Sequence, residues 1–337
     1  MNIDKENLRQ VILDSWSQFE IGWKLAEEIK PFGKFQSVCF SGMGGSSIPV
    51  DIIKAYVKNL REKNSKINKS FSIFKNRGYA LPVEAAENCL NIFISYSGNT
   101  EETLEALAEA TEKKLPSIGI ARGGKLEKFC QEKNIPFIRV PEISQPRYAL
   151  GYFVSILLSL LSNFGLIEST QEEVLASIPK LQSDIKNLEG NGKILAQKIK
   201  GKTPVLHVTE NLKAVGRIGK IKINENAKTP CFYNYYPELN HNEMVGFTLP
   251  QANFFVLSLL DEKSHPQIIK RIENTAIILK EHGIETEIIK VPNSENLFLT
   301  LFSSLALLDW ISYYLAIEYG QDPTPVQMVE DFKKQLA

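Results

Sequence analysis

The feature that most constrains the fold is a unit that occurs twice. Residues 135–141 (IPFIRVP) form a β-rich run that leads through a short loop into the apolar stretch 148–167 (YALGYFVSILLSLLSNFGLI). Residues 284–292 (IETEIIKVP) lead in the same way into 297–317 (LFLTLFSSLALLDWISYYLAI). Upstream of each unit, short β-rich runs alternate with helical stretches. The runs are 37–41 (SVCFS), 91–96 (NIFISY), 116–121 and 136–140 in the first half, and 204–209, 254–260 and 285–291 in the second. Such alternation predicts an α/β fold with parallel strands. A repeated βα unit is what a duplication would leave. A chance rhyme between two amphipathic units gives the same pattern, so repetition alone leaves both readings open. A chain of 337 residues carries about two domains at roughly 150 residues each.

The apolar stretches raise a membrane reading. Residues 148–167 lack charge and are long enough to span a bilayer. They also hold three serines, an asparagine and two glycines, so a buried core helix is the expectation. In the second stretch Asp309 is the one charge before Glu318. The N-terminal 16 residues (MNIDKENLRQVILDSW) mix charge with apolar residues, unlike the apolar core of a secretion signal. Lys+Arg and Asp+Glu are 39 each, and a chain with zero net charge has no global attraction to nucleic acid or anionic lipid. Cys39, Cys89, Cys130 and Cys231 are far apart, without metal-cluster spacing, and read as buried thiols in a reducing compartment. A cytoplasmic protein with no nucleic-acid or membrane partner is expected.

Two turns in the first half suit an anion. The turn Ser41-Gly-Met-Gly-Gly-Ser-Ser47 follows one strand run and precedes a helical one. Glycines there let backbone N–H groups approach a phosphate, and the helix N-terminus adds partial positive charge. It is neither a P-loop nor a GxGxxG fingerprint, and taken alone a plain tight βα turn explains it equally. The second turn, Ser95-Tyr-Ser-Gly-Asn-Thr100, precedes the acidic helix start Glu101-Glu102. One hydroxyl suffices for a helix cap; three with a glycine exceed that need, and two such turns in one domain point to a phosphate monoester.

In the second half, residues 223–247 (INENAKTPCFYNYYPELNHNEMVGF) crowd Asn, Glu, His and Pro into a weakly periodic stretch that reads as a polar loop. Glu225 and His241 offer a carboxylate base and a histidine acid–base for moving protons beside a carbonyl. A metal held by His241 with Glu238 or Glu243 is the rival, though His207, His265 and His282 share no ligand spacing with it. His207, inside a strand run, reads as a buried structural histidine, His265 as a turn residue and His282 as a helix C-terminal cap. Arg147 lies where the chain enters the long helix. It can stabilise an oxyanion there or simply cap the helix. Residues 330–334 (EDFKK) read as a charged helical end.

The motifs GMGGSS (from 42), SYSGNTEET (from 95), PRYALGY (from 146), NENAK (from 224), PELNHNEMVGF (from 237) and DPTPV (from 322) occur in order through the chain. Together they resemble bifunctional phosphoglucose/phosphomannose isomerases, which contain two sugar-isomerase (SIS) domains. The SYSGNT turn marks only the SIS superfamily, whereas NENAK with PELNHNE is more specific to this branch.

The resemblance implies two SIS-type domains, each a parallel sheet flanked by helices, doubly wound and flavodoxin-like. Its boundaries on this chain are a helical segment over 1–34, a first, phosphate-binding domain over 35–168, a helical connector over 169–202 and a second domain over 203–337. It implies metal-free cis-enediol interconversion of glucose 6-phosphate and mannose 6-phosphate with fructose 6-phosphate, without a cofactor. Gly44, Gly45, Ser46, Ser95, Ser97 and Thr100 would hold the phosphate, and Glu225 would shuttle the proton between C2 and C1. Arg147 would stabilise the enediolate. His241 would assist ring opening in the neighbouring subunit of a homodimer. A C-terminal lysine would reach the ring oxygen, Lys333 being favoured and Lys334 its competitor. Relatives often carry another glycine where Ser47 stands. The alternative is a sugar-phosphate-binding SIS regulatory protein without catalysis. Such regulators pair the domain with a DNA-binding module, for which the N-terminal segment is short and no basic face is evident.

Overall fold

The computed structural model describes residues 3–63, 71–291 and 296–336; Pro292, at the end of the second repeated run, lies outside them. The chain divides into two units, residues 14–178 and residues 1–13 with 179–337. The division falls inside the helix Gln171–Ile199.

Residues 14–178 build a sheet of five parallel strands: β1 (Ser37–Ser41), β2 (Ser72–Asn76), β3 (Cys89–Ile94), β4 (Ser117–Ala121) and β5 (Phe137–Arg139). Their order is β2-β1-β3-β4-β5. Every residue of β1, β3 and β4 is buried, which is why these strands read as continuous apolar runs. Helices Gly44–Glu62, Glu101–Glu112 and Gly124–Glu132 follow them. The order reverses between β1 and β3, and in doubly wound sheets the carboxyl ends beside that point are where ligands bind. Ser41 is paired with Phe93, so the two turns singled out above leave the sheet side by side.

The apolar stretch after β5 forms a tight turn, Pro146–Tyr148, and the helix Leu150–Asn163, in which residues 150–161 are all buried. Each fully buried Leu, Ile or Phe there contributes about 1.5–3 kcal/mol. The helix packs on Gln18–Glu27. A Cβ on Gly22 would come within 2.5 Å of the Tyr152 carbonyl oxygen, so only glycine admits the approach. Gln18 fixes the register, donating from Nε2 to the Tyr148 carbonyl at 2.8 Å and accepting from the Gly151 N–H at 3.1 Å.

The other unit repeats the plan with four parallel strands, β6 (Thr203–Val208), β7 (Phe232–Tyr235), β8 (Phe254–Leu260) and β9 (Glu285–Lys290), in the order β7-β6-β8-β9. Its long helix Leu297–Glu318 is apolar and long enough to cross a membrane, yet 78% of its most apolar window is buried inside the structure. The N-terminal helix Leu8–Leu13 belongs to this unit. Asp4 caps it through the N–H groups of Leu8 (2.7 Å) and Arg9 (2.9 Å), and Tyr313 donates to the same carboxylate at 3.1 Å. Arg9 grips Glu189 with two bonds of 2.6 and 2.9 Å.

Two strands fall outside the sequence reading, β2 and β7, each at a sheet edge beside the first strand of its unit. Both mix polar with apolar residues and are mostly half-buried or exposed, so they carry no continuous apolar signal. All four cysteines are buried and free. Burial pushes the thiols of Cys39, Cys130 and Cys231 up to about 12, which keeps them protonated and unreactive.

Candidate active site

The turn after β1 enters its helix at Gly44, which has a φ of +48° and open space around it. Gly42 allows the backbone to pass the end of β3: a Cβ there would lie 2.7 Å from the Ile94 carbonyl oxygen. Ser46, buried, reaches across and accepts a hydrogen bond from the Tyr96 N–H at 2.9 Å. One hydroxyl thus joins the two turns, and its own proton remains available to a ligand.

Within the second turn the hydroxyls divide their work. Ser95 is fully buried and accepts from the N–H groups of Gly98 (3.1 Å) and Thr100 (3.4 Å). With both lone pairs engaged, its proton goes to Thr100 Oγ1 at 2.8 Å, and the Thr100 proton is directed elsewhere. Ser97 is exposed and accepts from the Asn99 N–H at 3.2 Å. Thr100 is the N-cap residue of Glu101–Glu112 but makes no side-chain cap, so its hydroxyl is not serving as an ordinary helix cap. A third turn, after β4, clasps the second. Leu126 N–H bonds to Gly98 O at 2.9 Å and Lys125 N–H to Asn99 Oδ1 at 3.1 Å. Gly98 has a φ of +71°, and a Cβ there would sit 1.7 Å from the Gly123 carbonyl oxygen. The helices after β1 and β3 start at neighbouring strand ends, and helix N-termini, with their partial positive charge and first-turn N–H groups, are suited to bind phosphate.

Arg147 is buried in the Pro146–Tyr148 turn, where Nη1 donates to Gln145 Oε1 at 3.1 Å and the guanidinium lies 5.6 Å from the Tyr148 ring centre. A Cβ on Gly45 would be 3.3 Å from Arg147 N, so the arginine turn lies directly beside the glycine turn. A buried arginine held this way is neither a surface residue nor a simple cap.

In the other unit, residues 223–247 are more ordered than the sequence indicates. Glu225 sits half-buried in the last turn of the helix Lys213–Ala227. β7 follows, then the turn Glu238–His241 and the short helix Glu243–Gly246. The His241 imidazole is exposed and hydrogen-bonds to no side chain or carbonyl among the described residues. Lys333 and Lys334 lie on the exposed face of Gln327–Leu336, paired with Glu330 at 2.8 Å and Asp331 at 3.4 Å. His265 caps Pro266–Glu281 through the Gln267 N–H at 3.2 Å, and His282 bonds Ile278 O at 2.9 Å at its far end.

His207 is fully buried on β6, with Nε2 at 2.8 Å from Glu243 Oε1; Asn234 donates to Oε2 at 2.7 Å. Glu243, read from sequence as a possible metal ligand, is thereby committed to anchoring the segment that carries His241. Glu238 accepts from Asn242 at 2.8 Å. Among the described residues no group of three His, Cys, Asp or Glu side chains is placed to hold a metal ion. Burial pushes the Glu243 carboxyl up, but the bonds from His207 and Asn234 outweigh it and hold the group below its ordinary 4.5. A carboxyl lowered in the fold adds stability above its unfolded pKa and loses it as pH falls through the lowered value. Glu243→Gln should therefore lower stability at pH 7 by about 1–3 kcal/mol. The gap to wild type should close as pH falls below 4.5. A melting-temperature gap that stays constant from neutral to acid pH would remove the carboxylate's charge from this account.

Two parallel sheets, with phosphate-suited turns at the switch point of the first, define a doubly wound α/β protein of the SIS type. The fold is shared with the C-terminal domain of glucosamine-fructose-6-phosphate aminotransferase from Francisella tularensis, at a TM-score of 0.69, 14% identity, and coverage of 95% of this chain and 98% of that one. Residues 189–336 match the model of the bacterial phospho-glucose isomerase C-terminal SIS domain. The bifunctional phosphoglucose/phosphomannose isomerase of Aquifex aeolicus is 33% identical over 98% of each chain. That of Caldicellulosiruptor bescii is 33% identical over 95% of this chain and 94% of its own. The chain belongs to the family of bifunctional phosphoglucose/phosphomannose isomerases.

Proposed function

We propose that this protein is an aldose–ketose isomerase that interconverts glucose 6-phosphate and mannose 6-phosphate with fructose 6-phosphate by metal-free proton transfer through a cis-enediol. The observation that carries the reading is the near-full-length 33% identity to curated isomerases of that double specificity. In this reading Gly44 and Gly45 offer backbone N–H groups to the phosphate, and Ser46, Ser97 and Thr100 offer hydroxyl protons. Ser95 supports them by holding the turn's shape. His241 and Lys333 assist ring opening, and Glu225 takes the C2 proton as Arg147 stabilises the enediolate. Glu225 then returns the proton to C1. Glucose and mannose 6-phosphates differ only at C2, which is planar in the shared intermediate, so one site serves both.

A cytoplasmic homodimer with no membrane or nucleic-acid partner completes the reading, with His241 acting in the partner's site. The exposure of His241 and of its apolar neighbours Val245 (74%) and Leu249 (76%) supports an interface there. The test is an EDTA-treated assay of fructose 6-phosphate formation from each aldose phosphate. Turnover of both substrates is expected. Turnover of one alone would narrow the specificity, and sugar-phosphate binding without turnover would move the protein to the regulatory class.

A further inference from the structure

Two singular features of the sequence meet in one place. Asp309 is the one charge before the terminal Glu318 of an apolar helix, and NENAK surrounds Glu225 with polar residues that the proposed chemistry does not use. On the helix Lys213–Ala227, Gly219, Lys222 and Asn226 recur at i, i+3 and i+7, which places them on one face. That face meets Leu297–Glu318. A Cβ on Gly219 would lie 2.5 Å from Leu308 Cδ1. Lys222 forms an ion pair with Asp309, with side chains only 3% and 9% exposed. Asn226 Nδ2 donates to Ser312 Oγ at 2.8 Å, both residues being fully buried, and Ser312 Oγ donates onward to the Asp309 carbonyl at 2.9 Å. Glu225 lies between these two ties.

The end of the same turn is locked from its other sides. Asn224 Oδ1 accepts from the Cys231 N–H at 2.8 Å. Lys228, at a φ of +57°, closes the helix and donates from Nζ to the carbonyls of Glu225 (2.7 Å) and Asn226 (3.2 Å). A buried ion pair is poor evidence for stability, because apolar side chains of similar volume are often as good or better. What it supplies is one fixed register between two helices, and a carboxylate that must meet a particular carbon needs such a mount.

We infer that Lys222 and Asn226, through Asp309 and Ser312, are positioning residues that hold the last turn of the helix, and with it the Glu225 carboxylate, in register for proton abstraction. The inference rests on the reading of Glu225 as the base.

The test compares wild type, Glu225→Gln, Ser312→Ala, Ser312→Thr and the double variant Lys222→Met/Asp309→Leu, with C2-deuterated glucose 6-phosphate as probe. Ser312→Ala and the double variant should fold, lose about tenfold or more in kcat with KM within twofold, and show a larger deuterium isotope effect as proton transfer becomes slower. Ser312→Thr, which keeps the hydroxyl, should recover most of the rate. Should Ser312→Ala fail to fold, the double variant, which replaces a buried ion pair by apolar bulk, carries the same readout. Folded variants with kcat and isotope effect at wild-type values, beside an inactive Glu225→Gln, would overturn the clamp and leave the base assignment standing. An active Glu225→Gln, or a wild type without turnover, would overturn the base assignment and the clamp with it.

Discussion

Glu225→Gln should lower kcat by about 10²–10⁴-fold, the usual contribution of a positioned general base, while the melting temperature and substrate KM stay near wild-type values. Glutamine keeps the shape of the side chain but cannot accept the C2 proton. The turn that carries Glu225 is held by its neighbours, with Asn224 bonded to Cys231, Asn226 to Ser312 and Lys228 to two carbonyls of the turn. Loss of the charge at Glu225 therefore leaves the helix end in place. The groups proposed to grip the phosphate come from other elements, the turns after β1 and β3. Steady-state kinetics for both aldose phosphates and a thermal melt decide the matter. Turnover of the variant near wild type would remove Glu225 from the chemistry, and a collapsed melt would mean that the carboxylate serves the fold.

The legible parts of the molecule are those whose signals are local. β1 and β8 have the bounds that their apolar runs indicate, because strands of a parallel sheet buried on both faces show no alternation to blur the ends. β3 is offset: it begins at Cys89 and stops at Ile94, leaving Ser95 and Tyr96 to the turn. Ser95 has strand-like burial but hydrogen-bonds into the turn, a difference that side-chain type alone does not carry. β2 and β7 were illegible because edge strands with polar residues lack a continuous apolar run. His207 is legible as a buried histidine, and Asp309 as an anomaly. Their partners, Glu243 and Lys222, are not legible, because each pair is brought together by sheet register or helix packing between segments distant in sequence. The glycine turns are legible as a pair. That Ser46 ties one to the other through Tyr96 N–H follows only from the adjacency of β1 and β3.

Mixing two inactive variants should restore activity. In the homodimer proposed above, His241→Ala and Glu225→Gln, each nearly inactive by itself, should regain about a quarter of wild-type activity when unfolded together in equal amounts and refolded, because in a two-fold dimer with random assortment about half the dimers are mixed and each mixed dimer has one complete site. The arithmetic depends on the histidine acting across the interface. In a mixed dimer, the subunit with intact Glu225 receives His241 from its Glu225→Gln partner, while the other site lacks both groups. If His241 served its own chain, every subunit in the mixture would still miss one group and no activity would return. The His241 imidazole is exposed and hydrogen-bonds to no described residue of its own chain, although its segment is anchored close by through Glu243, held by His207 and Asn234. A histidine mounted on a fixed turn and left exposed suits the proposed role across a dimer interface. Recovery near the quarter level would place His241 in the neighbouring site. A mixture that remains inactive, with mixed dimers demonstrated by differently tagged subunits, would assign the histidine to its own chain.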